Sequence, residues 1–242
     1  SRTASEANVT ISINLSGVAG RPTVLSIDSG FSFTTKVGES AYTFQTTEVH
    51  SATDDGTGQY NFLNAEGGTS IKIKEGTQFQ KTFFVGEKSE RVLYVIPDNT
   101  IDTSTAVVKV FADPAGANFV NYNKLSEAVS VSSTSRFFQI TEAPNGFYEL
   151  NFGDGISFGK SPDPGQKIVV EYLSVAGAPA NGASVFTPSG TISVNSTSYN
   201  LSIQTVANSL NGSDVQTIES IRQNAPIAYA SQQLSLIHIS EP

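Results

Sequence analysis

Along residues 8–15 the apolar side chains of Val9, Ile11, Ile13 and Leu15 alternate with Asn8, Thr10, Ser12 and Asn14. A repeat of two puts alternate side chains on one face, so this stretch is predicted to be a half-buried β-strand. Comparable runs recur at 23–27, 31–35, 41–49, 59–63, 69–74, 78–85, 91–96 and 105–112. Gly30, Gly38, the Asp54-Asp55-Gly56-Thr57-Gly58 turn, Glu75-Gly76 and Pro97-Asp98-Asn99 break them apart. Short strands punctuated by turn residues predict an antiparallel arrangement. At Asp113-Pro114-Ala115-Gly116 small and turn-forming residues accumulate, which predicts a boundary or a change of sheet. Strands are then expected at 118–125, 135–142, 147–152, 167–175, 191–194 and 199–206. Asn145-Gly146 is predicted to close a hairpin, because Asn-Gly readily takes the positive φ values of a tight reversal. One segment departs from the β pattern. Ser213-Asp214-Val215-Gln216 has the spacing of a capping box, and Val215, Ile218, Ile221 and Arg222 follow at helical intervals until Pro226, which predicts a short helix at about 214–224. The pattern predicts a mainly β fold: two successive antiparallel, sandwich-like β domains at 1–112 and 113–210, then a helical segment at 211–233.

Composition narrows the function classes. The 242 residues suffice for one large or two ordinary domains. With 22 acidic against 14 basic residues the formal charge is -8, so no positive field gathers phosphate backbones or anionic lipid. Neither nucleic acid nor a membrane is an expected partner. Cysteine is absent and the only histidines are His50 and His238, which removes disulfides, thiolate sites and most metal chemistry. No cofactor or metal is expected. The sequence has no Met, which makes it read as a piece of a longer protein. Residues 234–242 (LSLIHISEP) look like translated sequencing adaptor and are set aside from fold reasoning.

Candidate chemistry is sparse. Gly155-Ile156-Ser157-Phe158-Gly159 fits G-x-S-x-G, the spacing of a hydrolase nucleophile elbow, but Pro162 and Pro164 follow where a helix should begin. Asp154, and likewise Asp54 with Asp55, could be taken for part of a calcium loop; each offers too few spaced carboxylates, and a turn in which Asp accepts local amides is the better reading. His50 stands two residues from Glu48, which predicts a solvent-exposed pair on one strand face. Glu127, Glu142, Glu149 and Glu171 could in principle supply a glycosidase acid and base, but outward strand positions account for them. The chain is therefore expected not to be an enzyme and to have no small-molecule substrate. An alternative is a carbohydrate-binding or adhesive β module, with Tyr60, Tyr122 and Tyr199 exposed to stack on sugars.

Several phrases carry a resemblance. Arg136-Phe137-Phe138-Gln139-Ile140 precedes Gly146-Phe147-Tyr148-Glu149-Leu150-Asn151-Phe152-Gly153-Asp154-Gly155; Val169-Val170-Glu171-Tyr172-Leu173 precedes Gly177-Ala178-Pro179-Ala180-Asn181-Gly182-Ala183; and Glu219-Ser220-Ile221-Arg222-Gln223-Asn224-Ala225-Pro226 follows. In this order they resemble the baseplate wedge subunit of T-even-type contractile-tailed phages and the wider baseplate J-like family. Ile73-Lys74-Glu75-Gly76 is similar to that family's I-x-E-G strand end. The resemblance implies a central fragment of a structural virion protein in the tail baseplate, assembled in the bacterial host cytoplasm. Its implied partners are itself, as a homodimer within a ring around the central hub, and other wedge proteins, with a part in tail contraction. It implies no catalytic residues. Phe152, Gly153, Asp154, Gly155, Asn181, Gly182, Glu219, Arg222, Asn224 and Pro226 are the motif residues to which it gives structural or interface roles.

Overall fold

The computed structural model describes residues 1–87, 93–128 and 130–215. Seven strands precede Gly76: β1 (Glu6–Asn14), β2 (Val24–Ile27), β3 (Ser32–Val37), β4 (Ser40–Thr46), β5 (His50–Thr53), β6 (Gln59–Asn61) and β7 (Ile71–Glu75). Seven more run from Thr77 to Ser174: β8 (Thr77–Phe84), β9 (Tyr94–Ile96), β10 (Ile101–Phe111), β11 (Phe119–Lys124), β12 (Phe137–Glu142), β13 (Tyr148–Phe152) and β14 (Lys167–Ser174). The last four are β15 (Thr187–Pro188), β16 (Ile192–Val194), β17 (Thr197–Tyr199) and β18 (Ser202–Leu210). Among the described residues the only helical elements are two single 3-10 turns, Leu125–Glu127 and Ala178–Ala180. The predicted helix at 214–224 lies, from residue 216 on, outside the described residues, as does the 234–242 tail.

The first sheet has the order β15-β3-β4-β7-β1-β18, with β6 also paired to β1. Its most widely paired strand is β1, which bonds to β7, β6 and β18 and whose alternation is as read from sequence: Val9, Ile11, Ile13 and Leu15 are all buried. Each such aliphatic side chain contributes roughly 1.5–3 kcal/mol on burial. The β2–β5 pair adds Leu25, Ile27 and Ala52 to the same core. From the far end of the chain come Ala180, Ala183, Phe186, Val194 and Leu201, with Phe186 set edge-on against Phe44 at 5.0 Å.

The second sheet runs β8-β14-β10-β11-β12-β13-β9. Its core holds Ile96, Ile101, Val108, Val110, Tyr122, Phe138, Leu150, Ile168 and Val170. The Phe83 ring of edge strand β8 lies 5.4 Å from the Tyr94 ring of the opposite edge strand β9, so the sheet curls over that core far enough for side chains of its two edge strands to touch, without the strands pairing. Asn145-Gly146 does close the β12–β13 hairpin. Among the described residues one pair departs from the antiparallel expectation: β11 and β12 are parallel, Asn123 facing Phe137.

Two successive units are therefore not what forms. The chain changes sheet at Gly76 and returns after Ser174, so the first core closes only around residues more than 100 positions apart, while the second is inserted between them. Asp113-Pro114-Ala115-Gly116 is a hairpin turn inside the second sheet, where Phe111 faces Phe119. Its turn-rich composition serves a reversal, not a boundary. It follows that residues 1–112 alone should not fold, since they lack β14 and every distal contribution to the first core; an amide NMR spectrum of that piece is expected to be collapsed and that of residues 1–215 dispersed.

Candidate functional site

Two of the motif segments are backbone clamps. In the first, β13 ends at Phe152, whose ring packs edge-on against Tyr94 (5.8 Å) and Tyr122 (5.3 Å), anchoring the turn in the second core. The chain then folds back on itself at Gly153, where a Cβ would collide with the Phe158 carbonyl and with Gly159, so only glycine fits. Asp154 follows. Its Oδ1 accepts the backbone N–H groups of Ile156 (2.8 Å), Ser157 (2.9 Å) and Phe158 (2.8 Å), and its Oδ2 accepts the Ser157 hydroxyl at 3.1 Å. Gly155 takes a positive φ of 73° to bring those donors round. The amides of Phe158 and Ile156, with Ser157, hold the Asp154 carboxyl down at about 2. This stiff turn carries Ile156 outward, 82% exposed.

The second clamp is the waist where the chain crosses between the sheets. Glu75 continues the inward alternation of Ile71 and Ile73 and is 4% exposed. Its carboxylate accepts the Ala176 N–H at 3.0 and 3.1 Å and the Gly177 N–H at 3.4 Å, joining the outgoing crossing to the returning one. Gly76 sits at φ 133° with a Cβ position 2.9 Å from the Ser174 carbonyl, which again requires glycine. The Arg2 guanidinium donates to the carbonyls of Val175 (3.2 Å) and Ala176 (3.4 Å). Buried Asp102 accepts the Ala4 N–H (2.8 Å) and the Ser104 N–H (2.9 Å), so the first residues of the chain are tied to the second sheet. Asn181 completes the waist. Its Nδ2 donates to the Gly212 carbonyl (2.9 Å), and its Oδ1 accepts the Gly212 N–H (2.8 Å) and the Ser5 hydroxyl (2.6 Å). Gly182, at φ 92°, donates its N–H to the Ser209 carbonyl. Desolvation raises the Glu75 carboxyl above its ordinary 4.5; the Ala176 and Gly177 amides and Arg2 pull it down, and Asp102 adds to the rise.

The structure thus brings Phe152, Gly153, Asp154 and Gly155 into one turn and Asn181 and Gly182 into the waist, with no contact between the two groups in these hydrogen bonds. Glu219, Arg222, Asn224 and Pro226 lie outside the described residues. Ser157 is no nucleophile elbow: its hydroxyl is given to Asp154 and the chain continues as a turn. Asp54 and Asp55 likewise accept the amides of Gly56, Gly58 and Thr57, and Arg21 Nε stands 2.6 Å from Asp54. His50 is a correction. It is buried on β5, with Nδ1 3.0 Å from the Leu63 carbonyl and Nε2 without a partner among the described residues, because exposed residues 47–49 break the alternation that linked it to Glu48. Tyr60 and Tyr122 are also buried, and Tyr199 packs partly into the first core, so these three do not make the exposed sugar-stacking surface of the alternative reading. Glu171 is paired with Lys109 at 2.7 Å on the outer face of the second sheet. Glu75, Asp102 and Arg2 were missed by the sequence reading. For Glu75 a signal existed: a carboxylate on the inward phase of an Ile-Lys-Ile-Lys-Glu strand must find donors.

Taken together, the described residues form a mainly β scaffold whose most constrained polar side chains hold backbone. No family model matches the chain. It is similar to the Baseplate wedge protein gp6 of Enterobacteria phage T4, with 29% identity over 214 residues, covering 75% of this chain and 31% of that protein. The chain is thus a distant homologue of a phage baseplate protein and spans about a third of the length of that relative.

Each clamp has a pH signature. An Asp carboxyl ordinarily titrates near 3.8 and that of Asp154 near 2, so its hold on the turn is fully present above the ordinary value and is lost as pH falls through about 2. The carboxyl carbon of Asp154 should titrate at that low midpoint in NMR, with the Ile156 and Phe158 amides following it; Asp154→Asn should leave both amides insensitive to pH. Glu75 has the opposite sign. Its raised folded value means that its favourable contribution is complete below 4.5 and is lost as pH rises through the folded value. Glu75→Gln keeps an acceptor for the two amides without burying charge, so its stability relative to wild type, measured by urea unfolding, should improve as pH rises from 4 to 8.

Proposed function

We propose that the chain is part of a structural subunit of a phage tail baseplate wedge and works by assembly. The observation that carries this reading is the similarity to the baseplate wedge protein of phage T4. The architecture supports it. Two curled or layered β bodies with separate cores, fastened at a polar waist, make a rigid block with broad surfaces, and Glu75, Asp102, Asn181 and Asp154 are all occupied by backbone donors instead of being free for reaction chemistry. In this reading the chain has no catalytic centre and needs no cofactor. It pairs with a second copy of its own subunit and with other wedge proteins in a ring around the hub, and it moves with the ring in tail contraction. Symmetric rings repeat the same interface, and permanent ones bury roughly 2,000 Å² or more. Among the described residues the chain passes between the two sheets at Gly76 and at 175–177, so any relative motion of the bodies belongs there.

In a phage that carries this gene, its disruption is expected to leave heads and free tail parts without complete baseplates, seen by electron microscopy, and supplying the intact gene in trans should restore them. Complete, infectious particles assembled without the gene product would overturn the proposal.

A further inference from the structure

Strand β8 forms one edge of the second sheet, eight residues long and without proline. Its inner edge pairs with β14 in one unbroken register from Thr77↔Ser174 to Phe84↔Lys167. Val85, next in that register, donates to the Gln166 carbonyl (2.9 Å) and accepts from the Gly165 N–H (2.9 Å), so it belongs to the hydrogen-bonded phase of the ladder. Antiparallel pairs alternate between bonded and unbonded. Phe79, Lys81 and Phe83 therefore direct their backbone groups to β14, and Gln80, Thr82 and Phe84 direct theirs away from the sheet. Among the described residues nothing receives them. The Gln78 side chain lies by Gly30, in the turn that leads from β2 into β3 of the first sheet, which limits the open stretch to residues 79–84.

A row of unpaired donors and acceptors at a two-residue repeat is complementary to one thing, another extended backbone. The side chains refine the choice. Phe79 and Phe84 are 50% and 66% exposed, which gives an added strand apolar contacts on both faces. Lys81 is the one charged residue of β8; its ammonium lies 5.9 Å from the Phe83 ring and meets no carboxylate among the described residues. On the open edge Lys81 falls in the unbonded phase, where facing side chains come closest. Neither β8 nor β18, the other long edge strand, contains a carboxylate, so a second copy of this chain has no acidic edge to set against it.

We propose that the β8 edge is a strand-addition site: an extended segment of another protein, carrying an acidic side chain opposite Lys81, pairs with residues 79–84 and widens the second sheet. This goes beyond the assembly reading, since it stands on the backbone and side chains of β8 whatever larger structure the chain joins.

The probe is a disulfide-closed hairpin peptide whose free edge alternates threonine and valine around one glutamate, added to the 242-residue chain at millimolar concentration. Hydrogen exchange followed by NMR should slow at the amides of Gln80, Thr82 and Phe84 and change little at Phe79, Lys81 and Phe83, which are already bonded to β14. Gln80→Pro removes an outward donor without touching the β14 ladder and should weaken binding about tenfold or more. Lys81→Glu should weaken it roughly three- to tenfold, and a hairpin with lysine in place of glutamate should recover that loss. The charge exchange decides the matter even if Gln80→Pro unfolds the chain. No slowing at the three amides, or slowing indifferent to both variants, overturns the proposal. So does a chain that dimerises by itself in sedimentation and becomes monomeric on Gln80→Pro, because the occupant is then a second copy.

Discussion

A chain that leaves one sheet to build another and then returns must pass twice through a place where neither ladder can take its backbone groups. Buried N–H groups without acceptors cost roughly 1–3 kcal/mol each, so such a crossing is stable only if side chains supply what the ladders do not. Here Glu75 takes the amides of Ala176 and Gly177, Asp102 takes that of Ala4, and Asn181 offers both halves of its amide to Gly212. The first core depends on this arrangement as much as on its apolar residues. Phe186, Val194 and Leu201 reach Phe44 and β1 only because the returning chain is fixed at 176–182.

The asymmetry between what was legible in the sequence and what was not has a single physical origin. Period-two alternation is a local property, and most of the strands are legible from it with ends displaced by a few residues, whereas the short β5, β15 and β17 are not. Even the burial of Tyr60 was implied, since it shares a phase with Phe62. Pairing between distant strands leaves no local trace. Nothing near Gly76 announces that the next partner of this sheet arrives 110 residues later, so two interleaved units read as two successive ones. Turn-forming composition misled for the same reason: Asp113–Gly116 and Glu75–Gly76 both read as breaks, and only the pairing shows that the first is a hairpin and the second a crossing. The Asp154 turn was legible as a turn because its donors lie within four residues. The waist was not, because the amides held by Glu75 and the Ala4 amide held by Asp102 lie about 100 residues from their acceptors.

The same contacts bear on how the two bodies move. Opening the waist would strip Glu75 of its amides, free Arg2 from the Val175 and Ala176 carbonyls and part Asp102 from Ala4. Hydrogen bonds to charged groups contribute about 1.5–3 kcal/mol each and neutral ones about 0.5–1.5, so even partial opening costs several kcal/mol. A partner could offset that only by binding the opened form better by the same amount. Small rearrangements are therefore expected to carry both sheets together, with the rigid turn at Asp154 and the open edge of β8 riding on one block. Stiffness of this kind suits a part whose task is to hold surfaces at fixed positions, and it follows from hydrogen-bond bookkeeping at one narrow place instead of from the size of either core.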